Sequence, residues 1–228
     1  MYLYVSSHGL PPLLRWKAGV REPAELGAHL ELRRGEVGTF DRHAIGLEAG
    51  DGPGLGQVED MLEAHRQGAT PEDIVFTPDT LAGVLETLPE ATPAIVVLQA
   101  CFSGGFIGRP DDDGPSPLTR RPHTTILTAT SSRRPSFGCS PGSHRTYYGG
   151  AFNRVLAQKL EEAPRLPPEL PWDDIHQRVR FVVETMEFID GETPSEPSFF
   201  SSDAPSSTNT AASASPSKPA ADSTPSTH

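Results

Sequence analysis

Two short segments of the chain hold side chains suited to nucleophilic chemistry. In one, Ser7-His8-Gly9 closes the extended run that begins at Met1. In the other, Gln99-Ala100-Cys101-Phe102-Ser103-Gly104-Gly105 follows the apolar run Ala94–Leu98. A thiol attacks a carbonyl well only as its thiolate, or with a base at hand to take the proton. His8 is the candidate base and Cys101 the candidate nucleophile. The tetrahedral adduct of such an attack needs donors aimed at its oxyanion, and the backbone N–H groups of Gly9 and Cys101 are candidates. Gly9 allows close approach of main chain to a substrate, and the turn Ser103-Gly104-Gly105 leaves room around the sulfur for a peptide. Taken singly, each residue has a plainer reading. A Cys ending an apolar strand is commonly a small buried hydrophobe, and a His after a strand is commonly a loop residue. Their shared position marks a site: each stands just past the carboxyl end of an expected strand, where parallel α/β sheets bind ligands.

The elements that must position this pair are legible in the pattern. Met1–Ser7 alternates Leu3 and Val5 with Tyr2 and Tyr4, as a strand does. Ala94–Leu98 is continuously apolar, which predicts a strand covered on both faces in a parallel sheet. Further strands are predicted at 74–76, 124–129 and 197–200. A helix starting at Thr77-Pro78-Asp79 turns Leu81, Val84, Leu85 and Leu88 to one face and stops at Pro89 and Pro93. A second, 150–162, carries Phe152, Val155, Leu156 and Leu160. A third opens at Trp172-Asp173-Asp174 with Asp173 as its cap, turning Ile175, Val179, Val182, Val183 and Met186 inward. Strand–helix alternation of this kind argues for an α/β sandwich around a mainly parallel sheet. Residues 10–73 read as an insert near the cleft, with a loop at 50–56 (GDGPGLG) and a short helix at Val58–Arg66. The 50–56 loop lacks the Gly-Lys-Ser/Thr of a phosphate loop. From Ser201 to His228 the chain is rich in Ser, Thr, Ala and Pro with almost no large apolar residues, a composition that predicts a disordered tail.

Composition narrows the function further. The chain has 228 residues, 19 Lys and Arg against 30 Asp and Glu, and a formal charge of -11. Such acidity argues against nucleic acid as a partner. Two cysteines, Cys101 and Cys139, make no disulfide framework, and no Cys-x-x-Cys pair points to a metal. Asp111-Asp112-Asp113 lacks the spaced ligands of a calcium loop. His43, His123 and His144 fall in polar loops and read as surface residues, and Cys139 as a loop cysteine. Neither a membrane span nor a signal segment is evident, so a cytoplasmic location is expected. No cofactor is implied.

The same blocks resemble the legumain family of cysteine peptidases, in the caspase–legumain superfamily, with the nearest likeness to bacterial members. Ser7-His8-Gly9 and Gln99-Ala100-Cys101-Phe102-Ser103-Gly104-Gly105 are similar to that family's His-Gly and Ala-Cys-x-Ser-Gly blocks. The caspase motif has Gly where this chain has Ser103. Thr128–Cys139, with Ser136-Phe137-Gly138-Cys139, resembles the strand and pocket loop that follow, and Thr146-Tyr147-Tyr148-Gly149 the block that opens the next helix. The resemblance covers roughly residues 1–9 and 74–200. It implies a caspase-like three-layer α/β sandwich over residues 1–200, and an endopeptidase acting on protein or peptide through a thioester acyl-enzyme. In that reading Cys101 is nucleophile, His8 general acid/base, and the Gly9 and Cys101 amides the oxyanion hole. Gln99 and Ser136 would line the pocket for the residue before the scissile bond. The family's acidic pocket residue is Gly150 here, so no strict asparagine preference is implied. Two strands and a helix precede the family's His strand, and this chain starts at that strand. The sheet is therefore expected to lack its first two strands, with a partner chain as one way to complete it. An inactive caspase-like remnant or interaction module is the alternative.

Overall fold

The computed structural model describes residues 1–10, 43–46, 75–108, 115–137 and 146–203. Its centre is strand β5, Ala94–Gln99, buried along its whole length. Strand β1, Tyr2–Ser6, runs parallel to β5 from Tyr2 opposite Ile95 to Ser6 opposite Gln99. Strand β6, Thr124–Thr128, runs parallel on the other side. Strand β7, Ser198–Ser201, closes that side antiparallel to β6. The sheet order is β1-β5-β6-β7, and among the described residues β1 forms one edge.

The apolar run of β5 has its physical reason in two cores, one on each face. Ile95 and Val97 point toward helices α2, Tyr147–Glu162, and α3, Trp172–Asp190. There they join Leu127, Phe152, Val155, Ile175, Val179 and Val183. Val96 and Leu98 point the other way, toward helix α1, Pro78–Glu86, and join Leu81, Leu85, Phe106, Leu118 and Ile126. Alternation along one strand thus feeds both layers, giving the three-layer mainly parallel α/β sandwich expected. β1 does the same at the edge. Tyr4 packs on Phe152 and Tyr2 stacks on Trp172, while Leu3 and Val5 pack into the α1 side.

Local chemistry sets the helix ends. Thr77 caps α1, its hydroxyl accepting the Thr80 N–H at 3.2 Å, with Pro78 in the first turn. Thr146 caps α2 in the same way through the Gly149 N–H at 3.0 Å. α3 departs from expectation: Pro171 holds the cap position, and Asp173 lies exposed in the first turn without capping. There its charge favours the helix dipole instead. Three expected core positions are exposed, namely Val84, Leu160 and Met186. Val84 and Leu160 sit off the buried stripe. In α3 the inward place of the last turns goes to Glu187, whose carboxylate accepts the buried Ser195 N–H at 2.9 Å.

Two features go beyond the sequence pattern. Strand β4, Val75–Phe76, falls on the strand expected at 74–76, but with β2, Gly9–Leu10, and β3, Ala44–Gly46, which were not expected, it forms a small antiparallel sheet in the order β2-β3-β4. Structure also continues past the expected tail start. Ser201 belongs to β7, and Ser202 exchanges bonds with Thr124, its N–H to the Thr124 carbonyl at 2.9 Å and its Oγ accepting the Thr124 N–H at 2.8 Å. The expected 50–56 loop, the 58–66 helix and residues 204–228 lie outside the described residues.

Candidate active site

Parallel pairing brings the two chemistry-bearing segments to one end of the sheet. The β1–β5 register ends at Ser6 opposite Gln99, so His8 and Cys101 each follow two residues beyond a paired position. The pairing persists into the turn, where the Ser7 N–H reaches the Gln99 carbonyl at 3.2 Å. His8 is exposed and Cys101 half-buried.

Gly9 is held against the Cys101 segment. A Cβ at this position would lie 1.7 Å from the Cys101 carbonyl oxygen and 2.9 Å from its nitrogen. Only glycine permits that approach. Gly9 stands opposite Ile45 in β3, and the Gly46 N–H bonds to the His8 carbonyl at 2.9 Å. In an antiparallel ladder this makes Gly9–Ile45 a non-hydrogen-bonded pair, so the Gly9 N–H turns away from β3. Ser7 tightens the corner, its hydroxyl donating to the Gly46 carbonyl at 2.6 Å.

Main chain also surrounds Cys101 on its other side. The Ser136 N–H points to the Cys101 Sγ at 3.2 Å, and Sγ lies 3.9 Å from the Ser136 carbonyl. Phe102 takes a left-handed conformation, φ 57°, and donates its N–H to the Arg134 carbonyl at 2.9 Å. A non-glycine residue in that region is strained, and such residues cluster at functional turns. The 3-10 turn that follows, Ser103–Phe106, packs Gly104 onto the main chain of Thr130–Ser132; a Cβ there would lie 2.6 Å from the Ser131 carbonyl carbon and the Ser132 nitrogen. Thr130 adds a side-chain tie, its hydroxyl accepting the Ser103 N–H at 3.1 Å.

Gln99 is buried. Its amide oxygen accepts the Tyr4 phenol, and the amide rests on the first turn of α2, where a Gly149 Cβ would come within 2.5 Å of Oε1. Burial, with Tyr2 nearby, pushes the Tyr4 phenol up to about 12, so it stays a donor at neutral pH. Ser136 is half-buried and reaches Cys101 through its main chain.

His43 corrects an expectation. It is buried, not a surface residue, because its ring lies under Gly105 in the turn after Cys101, 2.0 Å from where a Cβ would be. Its Nε2 is 2.9 Å from the Ser132 carbonyl. A polar sequence neighbourhood concealed this. Cys139, His144 and Asp111-Asp112-Asp113 lie outside the described residues. Among the described residues, no three His, Cys, Asp or Glu side chains gather as metal ligands, and no helix is long and apolar enough to cross a membrane. A groove of about 300 Å³ between α1 and the turn Pro117–Arg120, lined by Leu85, Leu88, Leu118 and Arg121, includes none of the site residues.

Against known protein families, residues 67–200, more than half of the chain, match the peptidase C13 family. That span contains Gln99, Cys101 and Ser136 and excludes His8 and Gly9. No curated protein matches the chain.

Proposed function

The chain belongs to the peptidase C13 family, the legumain family of cysteine peptidases, and from that premise we propose that it is an endopeptidase acting through Cys101 and His8. One observation carries the assignment of the pair: His8 and Cys101 follow the ends of adjacent parallel strands, with the Gly9 main chain seated on that of Cys101.

In the reaction so assigned, His8 takes the Cys101 thiol proton. The sulfur attacks the scissile carbonyl carbon, forming the C–S bond while the π pair moves to oxygen. The Gly9 and Cys101 N–H groups donate to that oxyanion. Collapse expels the amine, which leaves with the proton from His8, and a thioester remains. Water then attacks the thioester, giving a proton to His8, and collapse of this second adduct breaks the C–S bond and releases the acid. The segments bearing Gln99 and Ser136 would border the pocket for the residue before the scissile bond, a neutral polar surface suited to a polar side chain.

A peptide bearing a thiol-directed electrophile tests the assignment. On the chain carrying Cys139→Ser, labelling is expected, and it is expected to vanish in Cys101→Ala and fall by at least about 100-fold in His8→Ala. Labelling that survives Cys101→Ala would overturn the assignment.

A second reading, a caspase-like interaction module without catalysis, draws on a different observation. β1 offers an unpaired edge among the described residues, with Tyr2 exposed on it, and exposed edges accept further strands. A partner chain adding to β1 would serve either reading.

A further inference from the structure

We propose that the main-chain N–H of Ser136 is a further catalytic group, donating to the Cys101 sulfur and holding it as the thiolate that attacks. The proposal rests on Cys101 being the nucleophile, and it goes beyond the pocket role of the Ser136 side chain.

The geometry favours the anion. The Ser136 N–H lies 3.2 Å from Sγ, whereas the path by which a thiol would donate, to the Ser136 carbonyl, is 3.9 Å long. A neutral thiol is a weak acceptor, while a thiolate takes a strong charge-assisted bond. The donor is also fixed in place. Arg134 accepts the Phe102 N–H at 2.9 Å just before Ser136, and the Phe137 carbonyl accepts the Tyr147 N–H at 3.2 Å just after it. Pro135 stiffens the step between. A donor pinned on both sides costs no reorganisation when charge arrives.

Proton and electron pair follow a simple course. The thiol proton passes to His8 and the N–H of Ser136 keeps its own. As the sulfur lone pair becomes the C–S bond, the negative charge moves to the oxyanion and the Ser136 bond weakens. When the second adduct collapses, the pair returns to sulfur and the bond re-forms, so the same group assists the leaving thiolate.

The consequence is a crossing pair of pH profiles. Loss of one charge-assisted hydrogen bond raises a thiol pKa by about one unit. The thiolate fraction below the inflection then falls about tenfold, while the more basic thiolate is intrinsically about threefold more reactive. The thiol should thus react about threefold more slowly on the acid side and about threefold faster on the alkaline plateau.

The test is the rate of Cys101 with a small aromatic disulfide between pH 5 and 10, on the full chain carrying Cys139→Ser so that one thiol reports. An amide-to-ester replacement at 136 removes the N–H without adding a side chain. It is expected to shift the inflection up by about one unit, with crossing curves. Pro135→Gly loosens the segment that aims the N–H and is expected to move the inflection the same way by less, so an ester chain that does not fold leaves the question answerable. Gly83→Ala, in α1 away from the site, is expected to keep the wild-type inflection. An unchanged inflection in the folded ester chain, or in Pro135→Gly where the ester chain does not fold, or uniform slowing at every pH, overturns the proposal. The readout needs no peptide substrate. A chain that titrates as described yet takes no Cys101-dependent peptide label therefore refutes the peptidase assignment alone.

Discussion

Replacing Gly9 by alanine is the sharpest single perturbation of the site. The added Cβ would stand 1.7 Å from the Cys101 carbonyl oxygen, 2.7 Å from its carbonyl carbon and 2.9 Å from its nitrogen. All three are main-chain atoms, so no side chain can swing aside. An ordinary carbon–oxygen contact is about 3.3 Å, so β2 and the end of β5 must part by about 1.6 Å. β2 carries His8 with it, because the Gly46 N–H and the His8 carbonyl tie that corner to β3 at 2.9 Å. A misplacement of about 1 Å between reacting groups costs on the order of 100-fold, and the forced contact itself costs about 1–3 kcal/mol. The assay is the rate of Cys101-dependent labelling by the peptide electrophile, with stability read by urea unfolding. Gly83→Ala in α1 is the control. A Cβ there meets nothing within 4 Å, so it should leave labelling unchanged and stabilise the chain by about 1 kcal/mol. Labelling within about twofold of wild type in Gly9→Ala, with stability unchanged, would refute the reasoning that this contact sets the site.

Two further expectations concern the buried polar groups. His176 is buried and stacked on Phe199, and burial, aided by Arg180, pushes its imidazole down to about 4. Below pH 6.5 the unfolded chain therefore binds a proton that the folded chain refuses. Stability should fall as pH drops from about 6.5 toward 4, by up to about 3 kcal/mol, and His176→Phe should flatten urea midpoints over that window. Glu187→Ala strands the buried Ser195 N–H and should cost about 1–3 kcal/mol, whereas Glu187→Gln keeps an acceptor and should cost visibly less; urea unfolding of the two variants decides it.

Much of the sandwich was legible because its signals are local. The apolar run of β5 is unbroken because residues 94–99 are covered on both faces. Thr77-Pro78 and Thr146 announce their helices through side chains that cap within three residues. What escaped the sequence depends on distant chain. β2 is two residues long and β3 three, too short for any period, and they exist by pairing with each other and with β4, the strand that the apolar run 74–76 did announce. His43 is buried by a turn sixty residues further on. Glu187 displaces Met186 from the core because an N–H eight residues later needs an acceptor. For Cys101, the sequence supplied the residue and the strand before it, but its contacts with Ser136 lie 35 residues away.

The site is therefore built largely from main chain, and that bears on how it should be probed. Gly9 rests on the Cys101 backbone, the Ser136 N–H meets the sulfur, the Phe102 N–H meets the Arg134 carbonyl, and Gly104 rests on Ser131 and Ser132. Truncation to alanine leaves each of these N–H and C=O groups in place, so an alanine scan would not register them. The informative changes run the other way: glycine to alanine where backbones touch, and amide to ester where an N–H donates. A sheet that places two strand ends side by side supplies such backbone contacts through register alone. Two side chains then suffice for the proposed chemistry, because β1, β5 and the 131–137 segment have already arranged the donors around them.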